Sequence, residues 1–343
     1  MKNRLSICIA TYKRADFIGD TLDTILPNLP NGVEVLVVDG ASPDRTSEVV
    51  RPYQDQYPSL SYFREPRNSG FDGDYDKAVG YANGDYCWLM TDDDLLQPGA
   101  VQRVLEELKS DPDLLVVNAE IRTADLARCL APAIMRWVGE IDYRGQSIDD
   151  FFAENGSHLS FIGAVVVRRT VWLSRKREAY MGSMFIHVGT LFQWPLLTSI
   201  RVIREPLIVI RYGNAMWTGR AFEIWHFLWP SLIWSFTHFS DSAKQAVTKA
   251  EPFRSVKRLL FYRAVGGYSH TEYEALVRPR VHGPYRLLAR LIADTPGRFV
   301  NACVSLYYWT RLATSSAVSV YDLARSRNST WVAREIARRK GIQ

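Results

Sequence analysis

The sequence YCWLMTDDDLLQPG at residues 86–99 carries three consecutive aspartates, Asp92, Asp93 and Asp94, between an apolar run and a predicted helix. The apolar run has the length of a buried strand, so we expect the carboxylates at its exposed end. Three like charges repel one another, which favours a cation among them. Oxygen ligands suit a hard ion such as Mg²⁺ or Mn²⁺, and such an ion suits a diphosphate. The alternative is an acidic turn that caps the following helix, because aspartate is common at N-caps.

The first 120 residues alternate apolar strands with amphipathic helices. The pattern predicts strands at residues 5–10, 33–38, 60–64, 86–90 and 114–118, and helices at 15–26, 44–53, 74–82 and 98–109. This order predicts an α/β fold with a Rossmann-like, mostly parallel central sheet flanked by helices. Ligands bind beyond the carboxyl ends of the strands in such sheets, so we expect Thr11, Asp39 and the three aspartates to share one cleft.

The pattern changes after residue 120. We predict a strand at residues 160–168 that rejoins the sheet, a helix at 191–197 and one or two short strands at 200–210. Beyond Arg211 the chain is predicted to be largely helical. The sequence therefore predicts a first domain at residues 1–215, whose halves are 1–120 and 121–215, and a mainly helical, basic and aromatic region at 216–343.

The composition of the 343 residues, with 47% hydrophobic and 23% charged side chains, indicates a folded globular protein. The net charge of +5 is unevenly placed, because acidic residues crowd the first half and arginine and lysine dominate after about residue 200. A basic second half indicates an anionic partner, which would be phosphates, nucleic acid or a lipid surface. The four cysteines form no CxxC pair, so neither a disulfide framework nor a zinc site is indicated. The first strand begins without a signal-peptide segment, so we expect a cytoplasmic protein.

Residues 222–239, FEIWHFLWPSLIWSFTHF, form an unusually aromatic segment. A membrane-spanning helix needs about 20 apolar residues, and the glutamate, proline and two histidines here argue against one. Two readings remain open: an interfacial contact with a membrane surface, and a Trp-rich packing face of a helical core. The Arg-rich end at residues 311–340 is open in the same way, as a solvated face or as a surface contact.

Four motifs in the same order and at the same spacing resemble the family 2 glycosyltransferases. These are SICIATYKR at residues 6–14, VLVVDGAS at 35–42 with DRT at 44–46, NSG at 68–70 followed by ANGDY at 82–86, and TDDD at 91–94 in the place of the family's DXD metal motif. The resemblance is close over residues 4–120 and looser over 155–215. The stretch ANGDYCW also resembles the abequosyltransferase-type branch, which serves bacterial O-antigen assembly.

The resemblance implies the GT-A fold, a nucleotide-diphosphate sugar as donor and a divalent metal. By position it implies that Thr11, Tyr12 and Arg14 border the nucleotide and that Asp39 binds the base. A buried carboxylate that accepts from a base N–H discriminates strongly, because leaving it unpaired is costly. For Asp39 the alternative is a turn residue before the following glycine. Asp72 is expected near the nucleotide or ribose, or else at a helix start.

The chain departs from the family pattern at Thr91, where many relatives have an acid. The metal ligands must then come from the three aspartates. We expect Asp93 to bind the metal directly, Asp92 to contact the ribose or a metal-bound water, and Asp94 to support them. Arg211, which follows a predicted strand, is expected to close over the diphosphate, unless it forms a surface salt bridge.

An inverting transfer needs a base for the acceptor hydroxyl. Relatives often use a Glu–Asp pair that this chain lacks, and His187 stands in that region. A neutral imidazole is a competent base near pH 7, although a histidine in an apolar setting can also be a core residue. The competing candidates are Glu178, His158 and the pair Asp149 and Asp150.

We therefore expect an inverting, metal-dependent glycosyltransferase that acts on a lipid-linked or cell-surface bacterial glycan, held at the inner face of the membrane. A nucleotidyltransferase acting on sugar phosphates is an alternative, but it would show a Gly-rich phosphate loop after the first strand, where TYKR stands at residues 11–14. A non-catalytic nucleotide-sugar-binding protein would lack a base. Nucleic-acid binding is not indicated, because no reader motif accompanies the basic residues.

Overall fold

The computed structural model describes residues 4–135, 142–145, 147–311 and 316–342. These residues form two compact units, neither of which is continuous in sequence. The first unit lies within Met1–Ile121, Pro132–Arg211 and Ser235–Val247, and the second within Arg122–Ala131, Tyr212–Trp234 and Thr248–Gln343.

The strands of the described residues belong to one mixed sheet. They are β1 Leu5–Thr11, β2 Val33–Asp39, β3 Leu60–Arg64, β4 Tyr86–Met90, β5 Leu95–Leu96, β6 Leu114–Thr123, β7 Cys129–Ala131, β8 Asp142–Arg144, β9 Val165–Arg168 and β10 Ser199–Tyr212. Their order is β3-β2-β1-β4-β9-β6-β10-β5, with β7 beside β6 and β8 beside β10. The apolar runs of β1, β2 and β4 are almost wholly buried, as expected of strands covered on both faces.

In the first unit, helices alternate with the strands along the sequence. They are α1 Ile18–Ile25, α2 Thr46–Gln56, α3 Gly70–Tyr81, α4 Ala100–Glu107, α5 Ser147–Asn155, α6 Arg169–Leu173 and α7 Ile186–Phe192, and α10 Asp241–Val247 returns to this unit late in the sequence. α1 and α4 bury apolar side chains at helical spacing against the strands.

The rest of the chain is helical. The helices are α8 Ala221–Glu223, α9 Trp229–Ser235, α11 Val256–Val265, α12 His270–Glu272, α13 Gly283–Asp294, α14 Gly297–Thr310, α15 Ala317–Arg325 and α16 Trp331–Arg339, with π-helical turns at Ile224–Leu228 and Tyr273–Val277. Aromatic and aliphatic residues from α11, α13 and the π-helical turn at Tyr273–Val277 form a core of the second unit. Among the described residues, no helix combines the length and the apolar character that crossing a bilayer requires.

The predicted α/β fold with a central sheet and a helical C-terminal region is confirmed. The parallel part is confined to β3, β2, β1 and β4, because β9 joins β4 and β6 in antiparallel register and β10 pairs antiparallel with β5 and β8. The expectation of a mostly parallel sheet therefore holds only for the first four strands in sequence.

Three predicted elements differ from the structure, and the first is the strand expected at 160–168, which begins only at Val165. The helix expected at residues 191–197 is wrong, since α7 ends at Phe192; Pro195 disfavours helical geometry in the residue before it. The short strands expected at 200–210 form one long strand, β10. The aromatic segment at 222–239 is largely buried, with Phe222, Ile233 and Phe236 almost without exposed surface, as the packing alternative predicts.

Candidate active site

Three neighbouring strands end side by side and bring the predicted site residues together. β1 lies between β2 and β4, with Thr11 opposite Asp39 and Ile9 opposite Met90. The residues that follow Met90 therefore emerge beside Thr11. The cleft expected at the carboxyl ends of the strands brings together Thr11, Asp39 and the acidic loop at residues 91–94.

The three carboxylates of the acidic loop are buried. Asp92, Asp93 and Asp94 are 9%, 8% and 3% exposed. Burial, followed by the charge of Asp93, raises the pKa of Asp92 to about 7, and the same two causes raise the pKa of Asp94 well above its usual range. The pKa of the buried Tyr75 is also raised, first by burial and then by the three aspartates. The loop thus gathers three carboxyl groups in a poorly solvated place that opposes the ionisation of Asp92 and Asp94.

Arg14 lies against two of these carboxylates. Its Nε is 3.4 Å from Asp92 Oδ1, and its Nη2 donates to Asp93 Oδ2 at 3.1 Å. The Arg14 side chain is 10% exposed, and its backbone N–H donates to Thr46 Oγ1 at 3.1 Å. The Arg14 charge lowers the pKa of Asp92 against the larger effect of burial. Arg14 is therefore a counter-charge for the acidic loop.

Asp94 and Arg211 form a second connection at this site. Asp94 accepts from the Thr91 hydroxyl and from the backbone N–H of Arg211, the latter at 2.8 Å. The Arg211 guanidinium donates to the carbonyl oxygen of Asp93 at 3.1 Å and pairs with Asp20 Oδ2 at 2.7 Å. These contacts fasten the end of β10 to the acidic loop. They suit the supporting role expected of Asp94, and the predicted contact of Arg211 with a diphosphate stays a prediction.

Asp39 is fully buried at the end of β2. Its Oδ1 accepts from the Ser42 backbone N–H at 2.7 Å, and its Oδ2 accepts from the Tyr62 hydroxyl. Burial and the Asp39 charge raise the Tyr62 pKa far above its usual value, so Tyr62 stays a hydrogen-bond donor. The next residue must be glycine, because a Cβ on Gly40 would lie 2.5 Å from Asp74 Oδ2. Asp39 thus stabilises the turn that follows β2, and its predicted contact with the base of the nucleotide stays a prediction.

The loop after β1 is fastened to the loop after β2. The backbone N–H of Lys13 donates to Ser42 Oγ at 2.9 Å, and Lys13 has a positive φ of 58°. The Lys13 ammonium lies 5.1 Å from the centre of the half-buried Tyr12 ring. Tyr12 and Arg14 therefore follow Thr11 at the cleft, where the resemblance places a nucleotide.

The carboxylate of Asp72 accepts hydrogen bonds from two backbone amides. Its Oδ2 accepts from the N–H of Met184 at 2.9 Å, and its Oδ1 accepts from the N–H of Ile186 at 3.0 Å. Burial raises the pKa of Asp72, and these hydrogen bonds oppose the rise. Asp72 orders the start of α7, which favours a structural role, and its predicted contact with the nucleotide stays a prediction.

His187 lies on α7 with no exposed surface. Its Nε2 is 2.7 Å from the carbonyl oxygen of Leu159, and burial lowers its pKa to about 4. A base must reach the acceptor hydroxyl, so these surroundings favour a core role, and the base assignment stays a prediction. Of the competitors, Glu178 is exposed and His158 is half-buried with a pKa lowered by burial. Asp149 accepts from the backbone N–H and the hydroxyl of Ser240, at 2.9 and 2.7 Å.

The carboxylates of the acidic loop suit a metal ion that also binds the phosphate groups of a substrate. Carboxylate oxygens are the ligands that Mg²⁺ and Mn²⁺ prefer. In the described parts of the chain, no three His, Cys, Asp or Glu side chains are placed to hold a metal by themselves. Asp94 is engaged by Thr91 and the Arg211 backbone, whereas Asp92 and Asp93 both contact Arg14. Mg²⁺ commonly binds one or two carboxylates together with substrate phosphates, so two aspartates fit this kind of site.

Three further residues contribute to the site, and no motif in the sequence indicates them. Tyr75 donates to the carbonyl oxygen of Met90 at 3.0 Å, directly before the acidic loop. Asp20 pairs with Arg211, and Tyr62 donates to Asp39. A tyrosine in the third strand and an acid in the first helix carry no local signal of these contacts, which only the folded chain provides.

The sequence is similar to that of known glycosyltransferases. Residues 6–168 match the family model "Glycosyl transferase family 2". Abequosyltransferase RfbV of Salmonella typhimurium is 25% identical over 224 residues, which are 61% of this chain and 67% of that protein.

Two solved structures are similar over nearly the whole chain. A mannosyltransferase of Pyrobaculum calidifontis, solved in complex with GDP-Man and Mn²⁺, has a TM-score of 0.52 and 15% identity, covering 98% of this chain and 87% of that one. S. aureus TarS 1–349, solved in complex with UDP-GlcNAc, has a TM-score of 0.51 and 14% identity, covering 98% and 92%. The fold of this chain is therefore of the GT-A type.

Proposed function

From the match of residues 6–168 to the family 2 glycosyltransferase model we propose that the chain transfers a sugar, with inversion, from a nucleotide-diphosphate donor to a hydroxyl of a glycan. Residues 1–120 would bind the donor, and residues 121–215 would bind the acceptor. The sugar is proposed to be a hexose or deoxyhexose. The observation that carries this proposal is the buried acidic loop beside Arg14 and Arg211, at the ends of three neighbouring strands.

Such a transfer exchanges one bond at the anomeric carbon for another. The acceptor oxygen forms the new bond as the bond to the diphosphate oxygen breaks and the diphosphate leaves with the electron pair. The anomeric carbon gains oxocarbenium character in this step, as it does in glycoside hydrolysis. A site for this reaction must balance the negative charge that collects on the leaving diphosphate.

Asp93 and Asp92 would hold a divalent metal ion, Mn²⁺ or Mg²⁺, with Asp94 in support. The metal, when bound, supplies a Lewis acid that neutralises the diphosphate. Arg211 would add a fixed positive charge on the same side of the loop, since its guanidinium already contacts the carbonyl of Asp93. The structures of GDP-Man with Mn²⁺ in the mannosyltransferase and of UDP-GlcNAc in TarS support a nucleotide sugar as the donor.

Thr11, Tyr12 and Arg14 would border the nucleotide, and Asp39 would accept from the base. The full burial of Asp39 supports this assignment, because a buried carboxylate discriminates strongly between partners that can and cannot donate to it. A contact of Asp72 with the ribose would weaken the affinity of Asp72→Asn for nucleoside diphosphate.

The acceptor is proposed to be a lipid-linked oligosaccharide of the bacterial surface, such as an O-antigen precursor, met at the inner face of the membrane. The likeness to abequosyltransferase RfbV and the basic second half of the sequence support this choice. The protein would then be cytoplasmic and peripheral to the membrane, and no nucleic acid would take part.

The base that removes the acceptor proton is assigned to His187 by its place in the sequence alone. Exchange to glutamine separates the two readings of this residue. A base predicts a fall in kcat of about 100-fold or more with donor affinity retained. A core role predicts a lower melting temperature and a kcat within a few-fold of the wild type.

The test of the proposed function is a screen of UDP-, GDP-, CDP- and dTDP-sugars, each with Mn²⁺ or with excess EDTA. A bound donor raises the melting temperature by the linkage between ligand binding and folding. The donor that stabilises the protein is then incubated with lipid-linked acceptors, and release of the nucleoside diphosphate is measured. Asp93→Asn is expected to abolish transfer, and Asp55→Asn, at an exposed position of α2, is the matched control.

Each outcome decides a part of the proposal. Donor binding and transfer that both need Mn²⁺ support it in full, whereas wild-type transfer in EDTA overturns the metal assignment. Donor binding without transfer to any glycan favours a non-catalytic nucleotide-sugar-binding protein. Formation of a nucleotide sugar from a sugar phosphate would establish a nucleotidyltransferase instead.

A further inference from the structure

Two consecutive helices of the second unit expose large apolar side chains. On α13, Leu287 is 71% and Leu291 66% exposed, and Leu288 lies beside them. On α14, Phe299 is 64% and Leu306 53% exposed. We call these five side chains the outer apolar face. Isolated exposed apolar residues are ordinary, but a set of this size within 20 residues marks a binding surface.

Helical geometry explains why these side chains point away from the core. α13 buries Ala289, Ile292 and Ala293 in the core of the second unit. Leu287 and Leu291 are one turn apart on another side of this helix, so they form a continuous stripe that the core does not cover.

α14 is arranged in the same way. It buries Val300, Asn301 and Ser305. Phe299 and Leu306 are about two turns apart on its exposed side. Thr295 and Pro296 alone separate α13 from α14, and both helices pack against α11. The two exposed sides are therefore parts of one unit.

Basic residues outnumber acidic ones in the part of the chain that carries the outer apolar face. Residues 248–343 contain 17 arginine and lysine residues and six aspartate and glutamate residues. Arg286 and Arg298 lie on the same two helices, and the described part of the chain places no carboxylate in an ion pair with either. Lys257 lies over the ring of the exposed Tyr307, 5.9 Å from its centre. Each of the two helices that carry the outer apolar face therefore also carries an arginine.

We propose that the outer apolar face binds the surface of a bilayer that contains anionic lipids. A helix with leucines on one side and arginines beside them can bury the leucines at the boundary between head groups and acyl chains. The arginines then lie at the level of the lipid phosphates, which attract them. This combination of side chains matches a membrane surface in both polarity and charge.

The charge argues against a second copy of this chain as the occupant. A symmetric contact through the outer apolar face would bring Arg286 and Arg298 of one copy close to the same residues of the other. Opposed like charges disfavour association. An anionic bilayer has the opposite effect, because each arginine gains a phosphate neighbour.

This inference deepens the membrane location in the proposed function and rests on it to that extent. Binding to lipid itself needs no donor, metal or transfer. The two proposals can therefore fail separately.

The test is co-sedimentation of the full chain with vesicles of phosphatidylcholine alone or with about 30% phosphatidylglycerol, which gives the bilayer a negative surface potential. The wild type is expected to bind the anionic vesicles and to lose affinity as salt rises, because salt screens the arginines. Leu287→Ser/Leu291→Ser is expected to reduce the partition coefficient by about tenfold or more, since it removes two apolar side chains from the interface. Leu173→Ser/Met181→Ser, at exposed apolar positions of the first unit, is the matched control and is expected to bind as the wild type does.

A second variant tests the charge without altering an apolar side chain. Arg286→Gln/Arg298→Gln is expected to weaken binding to anionic vesicles by about 10- to 30-fold, at roughly fivefold for each arginine, and to change binding to neutral vesicles little. Melting temperatures of all variants within about 2 °C of the wild type show that each is folded, as expected for exposed positions.

Three results would overturn the inference. They are no sedimentation of the wild type with anionic vesicles at low salt, equal binding by the leucine variant, and a dimer in analytical ultracentrifugation that the leucine variant abolishes while vesicle binding stays unchanged. Donor-induced stabilisation measured on the same samples keeps the proposals apart. Lipid binding with no donor binding refutes sugar transfer alone, and the reverse refutes the lipid surface alone.

Discussion

Replacement of Arg14 by glutamine removes a counter-charge from a buried acidic loop. The Arg14 guanidinium lies 3.4 Å from Asp92 Oδ1 and 3.1 Å from Asp93 Oδ2, and the three side chains are only 10–12% exposed. Arg14→Gln keeps a side chain of similar shape but leaves the two carboxylates without this cation. The expected consequences concern stability, its dependence on pH, and the response to a metal.

The loss of stability follows from the burial of the pair. Removing one partner of a buried ion pair costs about 3–5 kcal/mol, because the other charge stays behind in a poorly solvated place. Since glutamine still donates one hydrogen bond, we expect a loss near the lower limit, about 3 kcal/mol. A domain of this size then melts about 6 °C or more below the wild type.

The sign of the pH dependence follows from Asp92. Burial and Asp93 already raise its pKa to about 7, and Arg14 opposes the rise. Without Arg14 the pKa of Asp92 rises further. Between about pH 4 and this raised value, Asp92 of the variant is protonated in the folded state and ionised in the unfolded state. A protonated Asp92 needs no counter-charge. The deficit of Arg14→Gln relative to wild type is therefore small at pH 5 and large at pH 8.

A divalent ion should recover part of the deficit. If Asp92 and Asp93 bind Mn²⁺, the ion replaces the lost guanidinium, so Mn²⁺ at pH 8 raises the melting temperature of Arg14→Gln more than that of the wild type. Differential scanning calorimetry at pH 5 and pH 8, with and without Mn²⁺, measures all three effects. Arg51→Gln, at an exposed position of α2, is the control and is expected within about 0.5 kcal/mol of the wild type. Wild-type stability of Arg14→Gln at pH 8 would refute the role of Arg14 as a counter-charge.

Three further exchanges test individual contacts. In the second unit Tyr212 donates to Asp322 at 3.0 Å, and burial raises the pKa of Asp322 to about 7, so Asp322 stabilises the folded state below about pH 4 and this contribution is lost by pH 7. Asp322→Asn is therefore expected to be about 2–4 kcal/mol more stable than wild type at pH 8. Parallel pH profiles of the two proteins in urea titrations would contradict this. Asp72→Asn replaces one acceptor of the amides at the start of α7, and it is expected to lower the free energy of unfolding by about 1–3 kcal/mol with unchanged affinity for nucleoside diphosphate. A tenfold weaker affinity in calorimetry, at equal stability, would place Asp72 in the donor site. Tyr62→Phe removes a donor to the buried Asp39 and is expected to lower the free energy of unfolding by about 1–2 kcal/mol, and an unchanged value would show that this hydrogen bond contributes nothing.

The strand ends were predictable because their signals are local. An apolar run followed by Asp39, or by three aspartates, marks the edge of a buried strand in the sequence itself. Parallel pairing of β1 with both β2 and β4 then follows from the alternation of strands and helices.

The partners of these residues were not predictable, because they come from distant parts of the chain. Arg14 and Asp93 are separated by 79 positions, and Asp72 and Ile186 by 114. The position of His187 in the sequence indicated a base, but its burial depends on how α7 packs. The same limit applies to α13, where helical spacing predicts an apolar side but not that this side faces outward.

Asp92 and Asp93 are proposed to hold a divalent ion together with the diphosphate of the donor. The most direct measurement is electron paramagnetic resonance of Mn²⁺ titrated with the protein, with and without the nucleoside diphosphate selected by the donor screen. We predict that the free-ion signal falls most when both protein and diphosphate are present, and that Asp93→Asn removes this effect while Asp55→Asn keeps it. An equal loss of the free-ion signal with Asp93→Asn and with the wild type would contradict the claim.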